Sequence, residues 1–289
     1  YGGFAGTEEQ LIDRDTLLLS SVNETILDGS QGIASYHVVY NAAALSAATI
    51  MDGFSIQGGQ ATTTYVSTSS LNPNYYGGGL YNANGMAIFR NLWIKNNVAS
   101  YGAGLYHSGA ATYTKIRFSG NIAKGRYAKG AAIYNVSGLN LADAVIEQNS
   151  IAETSSYLGY GAGIFSTGAA TLNKITFNGN TILAGNGGAI YSSSGKVIVT
   201  ESTFATNRAT IGGAVFLTTS TAELTDVFFN DNASATLGGA LYLNGGAMLN
   251  RTSFIGNTSV QHGGAIWSNV AVQIDYSIFS NNKVSSTAA

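Results

Sequence analysis

GGAIYSSSGKVIVTESTFATN, residues 187–207, is one copy of a unit that recurs along this sequence. Each copy opens with a pentad: a glycine, two residues that are Gly or Ala, an aliphatic residue and an aromatic one. The pentad occurs eight times, at residues 77–81, 102–106, 130–134, 161–165, 187–191, 212–216, 238–242 and 263–267. Recurrence at this period predicts a solenoid, in which each repeat stacks on its neighbours.

A second marker keeps the same period. It is an asparagine three residues after a Phe or Ile, with one copy ending at Asn207 and successive asparagines 24 to 31 residues apart. The column contains Asn97, Asn121, Asn149, Asn180, Asn207, Asn232, Asn257 and Asn282. Because two independent markers stay in phase over eight copies, we infer a repeat of about 25 residues.

Apolar residues between the two markers alternate with polar ones, which is the period of a β-strand. Val197 and Val199 are inward positions of one alternating run, and Phe204 is an inward position of a second run. The inward positions shift from odd to even residue numbers between the two runs, so a corner is expected between them. With the pentad, each coil then carries three short strands. The sequence predicts an all-β fold: a single-stranded right-handed parallel β-helix of about ten to eleven coils.

This solenoid is predicted to be a single domain over residues 1–289. Residues 1–76 form irregular N-terminal coils and a loop, and residues 77–289 contain the eight regular coils. The sequence starts at Tyr1 and ends at Ala289 within the pattern. We therefore expect a fragment of a longer polypeptide.

Stacking of like residues gives each motif a structural role. The Phe or Ile residues should stack inside, and an inward Asn should donate to a carbonyl of the next coil, satisfying turn backbone. The glycine pair should supply a corner with positive φ. Three residues before each Phe or Ile, charges of mostly alternating sign should stack outside: Lys115, Asp143, Lys174, Glu201, Asp226 and Arg251.

The amino-acid composition excludes several classes of function. The net charge is −2, only 10% of residues are charged and cysteine is absent. This argues against general attraction to nucleic acid and excludes disulfides, thiolate catalysis and cysteine-based zinc sites. No apolar run is long enough for a transmembrane helix.

Catalysis on polysaccharides is the least favoured function. Such sites need clustered carboxylates, and the closest grouping, Glu223, Asp226 and Asp231, is better explained as solvated surface and turn residues. His37, His107 and His262 are isolated. We predict a non-enzymatic protein with no catalytic residues, metal or cofactor.

Most of the candidate binding residues lie in insertions. Long segments at 57–76, 122–129 and 150–160 fall at the same corner of successive coils and should project side by side. Tyr101 stands at the same corner in the coil between the first two insertions. Tyrosine offers large contact area and a hydroxyl on a stiff side chain, so a recognition edge is predicted; the alternative is loops that pack on themselves. Its residues are Tyr65, Tyr75, Tyr76, Tyr101, Tyr127, Tyr157 and Tyr160, beside a basic cluster of Lys124, Arg126 and Lys129.

The last residue of each pentad forms a second aromatic column: Tyr81, Tyr106, Tyr134, Phe165, Tyr191, Phe216, Tyr242 and Trp267. The column either faces outward as an extended interaction surface or belongs to the core. The prevalence of Tyr, whose hydroxyl favours water, points outward.

The paired motifs GGAI, at 187–190 and 263–266, and FxxN, at 177–180, 254–257 and 279–282, resemble the repeats of chlamydial polymorphic outer membrane proteins. The opening stretch YGGFAGTE, residues 1–8, with ILDG at 26–29 and DGFSIQGG at 52–59, resembles the start of large secreted β-helix surface proteins of other bacteria. The resemblance implies a surface-exposed β-helix that serves as an adhesin or passenger domain.

Three functions follow, in order of preference. The first is an extracellular or cell-surface adhesin or scaffold module that binds glycan or protein partners through the Tyr-rich edge. The second is a subunit of an extracellular filament, assembled by end-to-end or side-by-side contacts, since open solenoid ends present unpaired strand edges. The third is a polysaccharide lyase or hydrolase.

Overall fold

The computed structural model describes residues 1–2, 10, 24–62, 72–152 and 158–285. They form an all-β parallel solenoid of about nine turns with three parallel sheets, which confirms the predicted fold class. The sequence predicted ten to eleven coils for the whole chain. The only helical segment within the described residues is a 3-10 turn at Pro73–Tyr75.

The largest sheet, here the long sheet, has 13 strands. It contains Thr25–Asp28, Ile50–Asp52, Phe54–Gln57, Ile88–Lys95, Thr112–Ser119, Leu139–Glu147, Ala170–Asn178, Lys196–Ala205, Thr221–Asn230, Ala247–Asn250, Ser253–Ile255, Val272–Asp275 and Ile278–Ser280. The strands pair in parallel, and the register places similar side chains opposite each other. Val199 is opposite Leu224, and Phe204 is opposite Phe229.

The pentads form a nine-stranded sheet, here the pentad sheet. Its strands are Val39–Asn41, Leu80–Gly85, Leu105–Gly109, Ile133–Asn135, Ile164–Ser166, Ile190–Ser192, Val215–Leu217, Leu241–Leu243 and Ile266–Ser268. The third, corner sheet has 11 short strands. These are Gln60–Ala61, Val98–Ala99, Ile122–Ala123, Ser150–Ile151, Gly159–Tyr160, Thr181–Ile182, Gly185–Asn186, Arg208–Ile211, Ala233–Leu237, Thr258–Ser259 and Lys283–Val284.

The three sheets divide the coil differently from the sequence prediction. The chain does bend between Val199 and Ser202, but both sides of the bend belong to the long sheet, in the single strand Lys196–Ala205. The bend is one residue in left-handed conformation, with φ of 48° at Glu201. The third strand of each coil is instead the short segment that follows the column asparagine.

Two further left-handed residues turn each coil. One precedes the column asparagine, as Thr206 does with φ of 54°; the other is the first glycine of the pentad, with φ between 59° and 71°. At that glycine a Cβ atom would lie 2.1 to 2.7 Å from the carbonyl oxygen three residues later. Steric exclusion therefore requires glycine there, whereas the bend at Glu201 accepts charged side chains.

The core is a stack of like side chains. The rings of Phe177, Phe204, Phe229, Phe254 and Phe279 lie face to face, with centroids 4.5 to 4.9 Å apart. Aliphatic residues of the pentads and of the long sheet complete the same hydrophobic cluster. Each stacked pair contributes about 0.5–1.5 kcal/mol beyond the area that it buries.

The column asparagines form an interior ladder of amides. Nδ2 of Asn207 donates to the carbonyl of Phe177 in the preceding coil, at 3.1 Å, and to Oδ1 of Asn232 in the next, at 3.0 Å. The Oδ1 atom of Asn207 accepts from the backbone N–H and from Nδ2 of Asn180. The backbone carbonyl that accepts thus belongs to the preceding coil, and the next coil supplies a side-chain oxygen. The pattern repeats from Asn97 to Asn282.

A buried polar chain crosses the early coils. Nδ2 of Asn41 donates to Oδ1 of Asn82, and Nδ2 of Asn82 donates to the hydroxyl of Tyr113. That hydroxyl donates to Nδ1 of His107, because Nε2 must carry the proton that is donated to the carbonyl of Gly138. Burial lowers the pKa of His107 to about 4, so the imidazole is neutral in the folded protein.

Candidate functional site

The pentad aromatics point outward and stack on one another. In the strand that contains Tyr81, the flanking Leu80 and Asn82 are fully buried, and Tyr81 lies on the opposite face. Together with Tyr40, these residues form what we call the aromatic ladder, with centroids 4.4 to 5.9 Å apart and ring planes within 16° of parallel. It contains Tyr40, Tyr81, Tyr106, Tyr134, Phe165, Tyr191, Phe216, Tyr242 and Trp267.

This stacking decides which atoms a ligand could touch. Each ring covers the faces of its neighbours, so Phe165 and Phe216 are only 4% and 8% exposed to solvent. Ring edges and tyrosine hydroxyls are therefore the accessible groups. Burial raises the pKa of Tyr81, Tyr106 and Tyr134, so their hydroxyls stay protonated and can both donate and accept.

A second column lies beside the ladder, formed by the residue before the first glycine of each pentad. Backbone bridges pair Tyr76 with Tyr101, Tyr101 with Lys129, and Lys129 with Tyr160. In the later coils the column continues with Asn186, Ile211, Leu237 and His262. Three of the seven predicted tyrosines, Tyr76, Tyr101 and Tyr160, thus stand in register beside the ladder.

Ring contacts join the two columns into one surface. Tyr76 meets the ladder edge-to-face at Tyr106, with centroids 5.1 Å apart, and Tyr160 meets Tyr191 at 4.8 Å. Tyr101 contacts Tyr134 at 5.6 Å. We call the ladder together with Tyr76, Tyr101, Lys129 and Tyr160 the aromatic face. The two separate features of the sequence are therefore a single surface.

The other predicted residues lie around this face. Tyr75 is half-buried in the 3-10 turn, where its carbonyl accepts from the backbone of Ser100 and Tyr101. Tyr127 is 39% exposed and has left-handed backbone, with φ of 58°. Tyr65 and Tyr157 lie outside the described residues.

Lys129, a member of the basic cluster, packs into the aromatic face. Its Nζ lies 4.8 Å from the ring centroid of Phe165, 5.9 Å from Tyr101 and 6.0 Å from Tyr160. Burial lowers the pKa of this ammonium group. Lys124 and Arg126 are exposed.

Among the described residues, two grooves lie along the aromatic face. One, of about 240 Å³, is lined by Tyr76, Tyr81, Ala83, Asn84, Tyr106, Ser108, Tyr134 and Val136. The other, of about 370 Å³, is lined by Tyr127, Lys129, Tyr160, Phe165, Thr167, Tyr191 and Ser193. Sequence reasoning missed Ser108, Thr167 and Ser193. Their position two residues after a ladder aromatic was the available signal, because strand alternation places them on the same outer face.

The described carboxylates do not converge. Glu223 pairs with Lys196, and Asp226 forms a two-pronged hydrogen-bonded pair with Arg251. Glu201 lies 3.9 Å from Lys174. Within the described ranges, no three His, Asp or Glu side chains are grouped so that they could hold a metal ion. The polysaccharide-acting enzyme and the filament subunit stay predictions.

Comparison with known proteins supports the resemblance in the sequence motifs. Residues 174–193 and 251–269 match the model of the Chlamydia polymorphic membrane protein repeat. Neither the curated proteins nor the solved structures gave a match. In the part of the chain that the structure describes, no helix has the length and hydrophobicity needed to cross a membrane. The repeat match and the β-helix fit a surface-exposed bacterial protein.

Proposed function

We propose that this chain is a non-catalytic binding module exposed on a bacterial surface, and that the aromatic face is its binding surface. The observation that carries the proposal is the merging of the corner tyrosines with the aromatic ladder. Tyr76, Tyr101 and Tyr160 come from different coils and pack on one continuous column of rings. Side chains from rigid, hydrogen-bonded coils hold their positions with little loss of entropy on binding.

The chemistry of the face favours an extended, hydroxyl-rich partner such as a glycan. The ladder presents ring edges and neutral hydroxyls rather than open ring faces. Ser108, Thr167 and Ser193 add hydroxyls along the two grooves. A succession of groups that donate and accept hydrogen bonds matches the hydroxyls of consecutive sugar units.

A peptide added as an extra strand is the less favoured partner. Such binding needs a strand with free N–H and C=O groups. The strand that contains Phe165 pairs with Tyr134 on one side and with Tyr191 on the other, so its backbone groups are already used.

The test is binding of the purified chain to a glycan array, repeated with matched aromatic substitutions. The double variant Tyr127→Ala/Tyr160→Ala should lose at least about tenfold in affinity for the selected glycan, the loss of two hydrogen-bonding aromatic contacts. Phe228→Ala is the control, because Phe228 is 50% exposed on the long sheet, away from the aromatic face. Equal losses in both variants, or no binding of any glycan by the unmodified chain, would contradict the proposal.

A further inference from the structure

The groove beside Lys129 differs from the rest of the aromatic face because it contains a cation. The Lys129 ammonium lies among Tyr101, Tyr160 and Phe165. Among the described residues, the ion pairs use the carboxylates Glu24, Asp52, Glu147, Glu201, Glu223 and Asp226, and none of these pairs includes Lys129. In the described part of the chain, this half-buried ammonium thus has ring contacts, and no carboxylate takes up its strongest interaction, the one with an anion.

We propose that this groove binds an acidic saccharide, with the carboxylate of one uronic acid unit on the Lys129 ammonium and its hydroxyls on the surrounding side chains. The inference rests on the proposed function, because it names the ligand class of the same face. The groove of about 370 Å³ is large enough for a small ligand unit.

Charge complementarity selects an anion. Lys124 is exposed on the same segment as Lys129 and adds a second positive charge to this part of a chain whose net charge is −2. Partial burial has removed water from the Lys129 ammonium and lowers its pKa. A carboxylate would replace that water with a charge-assisted hydrogen bond, which is about twice as strong as a neutral one.

The hydroxyl groups around Lys129 select a sugar. Tyr127, Tyr160 and Tyr191 line the groove with phenols. Thr167 and Ser193 donate weakly, at 3.4 Å, to backbone carbonyls of the preceding coil, so their oxygens can still accept from a ligand. One cation among neutral hydroxyls fits one carboxylate per sugar unit better than a densely sulfated chain, which would need several cations.

The test is calorimetric titration of the chain with tetragalacturonate and with its methyl ester, which keeps the ring hydroxyls but removes the charge. The acid should bind at least about tenfold tighter than the ester, in line with the worth of a charge-assisted hydrogen bond. Lys129→Met should lose that discrimination, and Lys129→Arg should keep it. Lys124→Met is the matched control: it removes the same charge outside the groove and should change affinity less than about twofold.

Several outcomes would overturn the inference. Equal weakening by Lys129→Met and Lys124→Met would show general attraction rather than a site. Tetraglutamate that binds as tightly as tetragalacturonate would assign the groove to acidic peptides, and a sulfated tetrasaccharide that binds tighter regardless of Lys129 would assign it to polyanions. If tetragalacturonate fails to bind while array glycans still bind and still depend on Tyr127 and Tyr160, the acidic ligand is wrong and the proposed function stands. If neither tetragalacturonate nor any array glycan binds, both the acidic ligand and the proposed function are wrong.

Discussion

The coils before about residue 195 and the coils after it share one backbone plan but differ in what they add to it. The late coils keep an asparagine spacing of 25 residues from Asn207 onward, with Ile211 and Leu237 at the corner. The early coils vary from 24 to 31 residues and place Tyr76, Tyr101 and Lys129 at the same corner. Coils of constant length therefore form the scaffold, and the coils whose length varies carry the surface that we propose for binding.

The interiors differ at one equivalent position as well. The inward residue after the ladder aromatic is Asn82 and His107 in early coils, and Leu217 and Leu243 in late ones, all buried. The polar version needs a complete hydrogen-bond chain, which Tyr113 provides. The coil that contains His107 thus depends on protonation state at this position, whereas the coils that contain Leu217 and Leu243 depend there on apolar packing.

The largest expected effect tests what the two halves share. Asn207→Ala removes two donated and two accepted hydrogen bonds inside the ladder and leaves Phe177 and Asn180 with unsatisfied buried groups. We expect a loss of roughly 3–5 kcal/mol in the free energy of unfolding, measured in urea. Asn121→Ala in an early coil should cost a similar amount. Asn244→Ala, at an exposed position, should stay within about 0.5 kcal/mol, and a comparable loss there would contradict the ladder's role.

The next largest effect tests the corner at the first glycine of the pentad, where only glycine fits. Gly212→Ala would place a Cβ atom 2.4 Å from the carbonyl oxygen of Val215, on backbone with φ of 61°. We expect destabilisation of about 3 kcal/mol by the same measurement. Gly246→Ala is the control, since nothing lies within 4 Å of its Cβ position and no left-handed φ is involved. If both variants were equally stable, the corner would not be sterically fixed.

The smallest of the three effects separates the halves by pH. The folded-state pKa of His107, about 4, lies below the unfolded value of 6.5, so its contribution is present above pH 6.5 and is lost as pH falls through that window. Relative to His107→Asn, the unmodified chain should lose about 2–3 kcal/mol of stability between pH 7 and pH 4.5. His37, whose pKa burial also lowers, adds to the slope in both proteins.

Replacement of the exposed His262 in a late coil by Gln should leave that pH dependence unchanged. Urea unfolding at a series of pH values gives the comparison. A slope as steep in His107→Asn as in the unmodified chain, or one that disappears in His262→Gln, would place the pH sensitivity elsewhere than in the early polar chain.

The sequence predicted the scaffold better than the site, for physical reasons. Because the coils stack in register, each column is a residue type that recurs at the repeat period. The phenylalanines, the asparagines and the glycine corner could therefore be located from the sequence. The sequence predicts the bend near Glu201 but wrongly places a boundary between strands there, because no residue type marks left-handed backbone that accepts Lys, Asp, Glu and Arg alike. The union of Tyr76 with Tyr106 depends on side-chain packing between columns, which the spacing of letters does not encode.

Lys129 shows the same limit for the proposed site. In sequence it is one of three basic residues on a loop. In the structure, its register with Tyr101 and Tyr160 brings it among the rings, whereas Lys124 and Arg126 stay exposed. The difference is set by distance from the first glycine of the pentad, because the residue directly before that glycine joins the corner column.

The most direct test of the central claim is hydroxyl-radical footprinting of the tyrosines, with and without the glycan selected on the array. All tyrosines are probed in one sample, so the early and late halves serve as controls for each other. We predict protection of Tyr76, Tyr127 and Tyr160, and unchanged oxidation of Tyr276, which is 88% exposed in the last coil. Protection of Tyr276 with no change at Tyr127 and Tyr160 would contradict the claim that the aromatic face of the early coils is the binding surface.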